Sequence, residues 1–157
     1  MATNPKPPPL VQLFGALQAE RIKFMLVGMS AANLQGVLAS TVDVDVWISL
    51  PPRQYVRVIN VCRKLAATIQ SPNKVFLSDE TPVDFIFEIG GLQSFEREFR
   101  RAKKLPFHGL KIPVLPLERI CKSKELAARD KDKLHILLIR QVLKLKKSAE
   151  RTARQRR

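Results

Sequence analysis

Between Val42 and Ile48 the chain alternates strictly, with valine at 42, 44 and 46, aspartate at 43 and 45, and then Trp47 and Ile48. A period of two belongs to a β-strand, because successive side chains leave opposite faces of a sheet. One face therefore offers valine to a core. The other carries Asp43 and Asp45, with Cβ atoms roughly 7 Å apart, as two strand rises imply. Two carboxylates on one face repel each other, and a divalent cation between them is the simplest relief. Magnesium or manganese suits such a place, since a hard cation takes oxygen ligands and keeps water and substrate phosphate as the rest. Trp47 shares the parity of the two acids and either stacks on a base or, more ordinarily, packs in the core.

The rest of the chain alternates between strands and helices. Leu10 to Arg21 has helical apolar spacing, Lys23 to Val27 reads as a buried strand, and Gly28 breaks it. Ser30 to Leu38 reads as a short helix with Ser30 as its N-cap. Pro51-Pro52 closes the acidic strand, and Arg53 to Ile69 reads as one amphipathic helix. Val75 to Ser78 and Val83 to Glu88 read as strands joined by a polar turn. Phe95 to Lys104 reads as a basic helix, Leu110 to Leu115 as a strand, and Leu117 to Ala128 and Lys131 to Leu145 as the last helices. This pattern gives an α/β (α+β) class with a mixed sheet flanked by helices. Residues 1–9 read as a proline-rich arm, 10–143 as one domain and 144–157 as a basic tail that frays.

Asp84, in the run Val83-Asp84-Phe85-Ile86-Phe87, supplies a third acid if an antiparallel neighbour brings it beside Asp43 and Asp45. Three such carboxylates suit phosphoryl transfer, in which metal ions activate a hydroxyl and hold a triphosphate. Gly28 stands at a strand-to-helix turn, where backbone N–H groups attract phosphate, and Ser30 adds a hydroxyl; an ordinary tight turn is the plainer alternative. Lys124 and Arg129 lie in a basic cluster with Lys122 and Lys131, interleaved with Asp130 and Asp132. The cluster either contacts a triphosphate or is a helix junction held by local ion pairs. His135 reads as a core-edge side chain.

With 28 basic against 14 acidic residues the chain carries a formal charge of +14, a field that favours a polyanion such as nucleic acid. Lys144, Lys146, Lys147, Arg151, Arg154, Arg156 and Arg157 crowd the C-terminal end, with Glu150 the one acid among them. No apolar run approaches the roughly 20 residues that span a bilayer, no membrane role is expected, and a cytoplasmic protein is the simple reading. Cys62 and Cys121 have no metal-ligand spacing and read as reduced thiols.

The segments Phe24–Gly36 and Thr41–Trp47 resemble the minimal nucleotidyltransferases of the DNA polymerase β-like superfamily, in particular the small bacterial and archaeal branch that includes toxin-type and aminoglycoside-type enzymes. Gly28, Ala31, Gly36, Thr41, Asp43, Asp45 and Asp84 fall on its pattern, and Leu117 to Asp132 is similar to its Lys and Arg-x-Lys-Asp run. Met29 replaces the second small residue of the glycine turn, and Ala39 stands where a basic residue is frequent. The resemblance implies a transferase that moves an NMP from an NTP to a hydroxyl acceptor with Mg2+ or Mn2+. Asp43, Asp45 and Asp84 are then catalytic and metal-binding, and Gly28, Ser30, Lys124 and Arg129 bind nucleotide phosphate. It also implies RNA or tRNA as one acceptor, beside a protein or small molecule, and a toxin–antitoxin or defence setting. The alternative is a non-catalytic protein that uses the same fold to bind nucleic acid or a protein partner.

Overall fold

The computed structural model describes residues 5–127 and 129–156. Residues 1–4 of the expected arm, Ala128 and Arg157 lie outside them. The N-terminal helix α1, Pro9–Ala19, has proline in its first turn, where the missing N–H costs nothing, and buries Leu13, Phe14 and Leu17. Strand β1, Phe24–Val27, is buried along its whole length and runs straight into α2, Gly28–Leu34. The acidic strand β2, Val44–Ile48, follows, then a 3₁₀ turn at Pro52–Gln54 and α3, Val56–Lys64. Next come β3, Thr68–Ser71, β4, Lys74–Phe76, β5, Pro82–Ile86, and α4, Phe95–Arg101. The chain continues through β6, Lys103–Phe107, and β7, Leu110–Val114, into α5, Leu117–Ala127, and α6, Asp130–Gln155.

Among the described residues seven strands form one mixed sheet in the order β3-β4-β5-β2-β1-β7-β6. Helices α1 and α3 pack on each other, while α2 and α6 both pack on α5. Four of the five β2 residues are buried, which a sheet covered on both faces produces. Trp47 belongs to the core. It is 1% exposed, donates its indole N–H to the Phe87 carbonyl at 2.8 Å, and meets Phe95 edge-on. Helices α4 and α5 are pinned by an ion pair, in which Arg119 donates twice to the buried Glu98 at 2.8 and 2.6 Å.

Several expectations change. Strand β5 runs parallel to β2, not antiparallel, because α3 and the β3–β4 hairpin return the chain to the end of the sheet from which β2 starts. The helix expected over Arg53 to Ile69 ends at Lys64, and Ala66 takes a positive φ of 59°. The chain then enters β3, whose alternating, largely exposed side chains mark a sheet edge. The helix expected to reach Lys104 stops at Arg101, and Lys103–Phe107 pairs with β7 across a two-residue turn. His108 and Gly109 both have positive φ there, as such a hairpin turn demands. Ser30 is not an N-cap, since α2 already begins at Gly28. At the C-terminal end α6 continues through Lys144 to Gln155, where fraying is expected.

Candidate active site

The register of the sheet builds the site. Val27 faces Asp45, Asp45 faces Asp84, and Asp84 faces Lys74, so a single row crosses β1, β2, β5 and β4. Neighbouring strands lie about 4.8 Å apart, which sets the two aspartates of the row side by side. Asp43, two residues before Asp45, shares their face at the entry to β2. Its main chain is gripped from two sides: Thr41 Oγ1 donates to its carbonyl at 3.1 Å and Ser30 Oγ at 3.3 Å. The Ser30 hydroxyl therefore positions the acidic strand.

Lys74 is the member that sequence reasoning missed. Its Nζ lies 3.7 Å from Asp43 Oδ1 and 3.7 Å from Asp84 Oδ1. The signal for it is non-local: Lys74 sits opposite Asp84 only once β4 and β5 pair. Among the described residues no three His, Cys, Asp or Glu side chains already form a metal-holding group. Asp43 and Asp84 are turned toward the lysine ammonium.

Asp45 is the most crowded of the three acids. Burial, then the charges of Asp84 and Asp43, push its pKa up to about 6, against the opposing pull of Lys124 and Lys131. Gly28 explains part of the crowding. Its φ of +67° is a conformation that glycine enters freely, and a Cβ there would stand 2.5 Å from Asp45 Oδ2. Only a bare backbone lets this acid lie against the turn.

Gly28 and Asp45 open onto a cleft of about 470 Å³, with Ile86, Glu88, Lys124 and Arg129 among its walls. Lys124 and Arg129 are anchored together on Asp132 at the start of α6. Lys124 Nζ lies 3.3 Å from Asp132 Oδ1, Arg129 Nε donates to Oδ2 at 2.7 Å, and the Arg129 backbone N–H donates to the same oxygen at 3.2 Å. Burial works against the charge on Asp132, but the Arg129 and Lys124 hydrogen bonds win and hold its pKa down at about 2. Lys124 also lies 3.3 Å from His135 Nδ1, and burial followed by that ammonium lowers the histidine's pKa. The basic cluster is thus a helix junction held by local ion pairs, and two of its cations, Lys124 and Arg129, also line the cleft.

Of the expected site residues, Gly28, Asp45, Lys124 and Arg129 line the cleft, whereas Asp43 and Asp84 lie beside Asp45, joined to each other by Lys74. Ser30 stands behind Asp43. The donor chemistry fits a hard divalent cation, since Asp43, Asp45 and Asp84 offer carboxylate oxygens side by side.

No protein-family model matches the sequence, and no curated protein matches it either. Solved structures do. ANT(2'')-Ia in complex with adenylyl-2''-tobramycin superposes with a TM-score of 0.63 at 15% identity, covering 94% of this chain and 95% of that one. The lincosamide antibiotic adenylyltransferase LnuA, lincomycin-bound, superposes with a TM-score of 0.57 at 13% identity, covering 89% of this chain and 99% of that one.

Proposed function

The chain has the nucleotidyltransferase fold of the DNA polymerase β-like type, and from that premise we propose that it transfers an NMP from an NTP to a hydroxyl acceptor with Mg2+ or Mn2+. The observation that carries the reading is the row Asp45–Asp84 with Asp43 beside it, opening at Gly28 onto a cleft walled by Lys124 and Arg129. When bound, the metal supplies charge neutralisation for the triphosphate and lowers the pKa of the attacking hydroxyl. Asp43, Asp45 and Asp84 hold it. Lys124 and Arg129 face the phosphates, and Asp132 keeps both cations aimed. Gly28 gives Asp45 room at the turn, whose backbone N–H groups take phosphate. Asp84 accepts the proton from the acceptor hydroxyl, whose oxygen forms the new bond to the α-phosphorus while the bond to pyrophosphate breaks.

The acceptor belongs to this reading as RNA, including a tRNA end, on the strength of the +14 charge and the exposed basic end of α6. A small-molecule hydroxyl is the competing acceptor, since both antibiotic-linked structures share the fold. Incubation with each labelled NTP, magnesium, and total cellular RNA, protein or metabolites tests the proposal. Label in one fraction is the expected result; no label in any fraction contradicts transferase activity. That outcome would leave the second reading, a non-catalytic nucleic-acid- or protein-binding member of the fold, which Met29, Ala39 and the ammonium among the acids favour. The toxin–antitoxin setting predicts growth arrest on expression of the wild-type chain and none with Asp45→Asn.

A further inference from the structure

We infer that Lys74 is a built-in counter-ion for the carboxylate cluster: its ammonium holds Asp43 and Asp84 before a metal binds, and it yields to the divalent cation. The inference rests on the metal-dependent reading above and adds to it the residue that sets how tightly the metal is held.

Placement is the ground for it. Lys74 on β4 lies opposite Asp84 on β5, which lies opposite Asp45 on β2. One ammonium thus joins acids on two different segments, at 3.7 Å from each. Charge-assisted hydrogen bonds to carboxylates run at about 2.7–2.9 Å, so the lysine balances both acids without closing tightly on either. Its side chain is 29% exposed, so solvent reaches the stem and the ammonium can turn away from the acids. An ammonium and a divalent ion on the same oxygens repel, and the partner on a flexible four-carbon stem is the one that moves. Lys74 pairs with Asp43 and Asp84, whereas the charges of Lys124 and Lys131 act on Asp45. Arginine would suit this role poorly, because its planar fork would clasp both carboxylates and oppose release.

Mn2+ binding to nucleotide-free protein, followed by the EPR signal of the free ion, tests the inference in the wild type, Lys74→Met and Lys74→Arg. Lys74→Met is expected to bind Mn2+ at least about tenfold more tightly than wild type, since a competing charge is gone. Lys74→Arg is expected to bind it more weakly. Metal-free Lys74→Met is expected to melt lower than wild type and to gain more from added Mn2+. Circular dichroism confirms that each variant is folded. A merely structural cross-strand pair would lower the melting temperature and leave the Mn2+ affinity unmoved. Equal affinities in the three folded proteins, or weaker binding by Lys74→Met, overturn the counter-ion role while the metal reading stands, provided Asp45→Asn loses the binding that wild type shows. No Mn2+ binding by any of them, Lys74→Met included, overturns both.

Discussion

Asp45 carries the conflict on which the site is built. Its pKa, raised to about 6, means that the folded state takes up a proton more readily than the unfolded chain, whose aspartate titrates near 3.8. The favourable contribution is therefore complete below about pH 3.8 and is lost as pH rises through about 6. In metal-free buffer Asp45→Asn is expected to gain about 1–3 kcal/mol over wild type at pH 7.5 and little at pH 4. Urea unfolding at the two pH values measures it, and a constant difference would contradict the assignment. Gly28→Ala is expected to cost about 1–3 kcal/mol, because it adds left-handed strain to a 2.5 Å contact with Asp45. Thermal melting beside Gly15→Ala, whose nearest neighbour stands at an ordinary 3.8 Å, separates that strain from a generic glycine effect. At this scale the sequence showed the acids plainly, since strand parity puts Asp43 and Asp45 together. It could not show Lys74, whose role depends on strand pairing.

Helices α5 and α6 meet over Asp132, which is fully buried and holds Lys124 and Arg129. Removing the acid strands an ammonium that is only 12% exposed, so Asp132→Ala is expected to cost about 3–5 kcal/mol in chemical denaturation. Asp132 is held at about pKa 2, so its support is present above about pH 3.8 and fades as pH falls toward 2. The far end of α6 behaves differently, since Lys144 to Arg156 are all exposed. Truncation after Leu143 is expected to leave the melting temperature within about 2 °C, as the removal of an exposed surface segment allows. It is also expected to weaken RNA binding and flatten its salt dependence, by about 0.7 in log–log slope for each single-strand phosphate that the basic segment no longer neutralises. Equal affinities and slopes at two salt concentrations would leave this end of the helix without a binding role. Its helicity was not legible because a polar, basic run lacks apolar periodicity. The edge strands β3 and β6 were hidden for a related reason: Thr68–Ser71 follows a convincing helix, and Lys103–Phe107 is too polar to read as a buried strand.

Across the whole molecule, the sheet order brings acids far apart in sequence into one row, and Lys124 on α5 and Arg129 at the N-cap of α6 line the cleft onto which Asp45 opens. The α/β alternation was readable because helical and strand periods differ; the parallel β2–β5 pairing was not, because direction depends on an unrecognised hairpin between them. No helix among the described residues is long and apolar enough to cross a membrane. Metal-dependent nucleotide transfer by the acidic row is tested most directly by comparing wild type with the double variant Asp43→Ala, Asp45→Ala in the labelled-NTP assay, with thermal melting alongside. The double variant is expected to stay folded, to melt no lower in metal-free buffer because like charges have been removed, and to transfer no label. A folded double variant that labels its acceptor as fast as wild type would place the chemistry elsewhere.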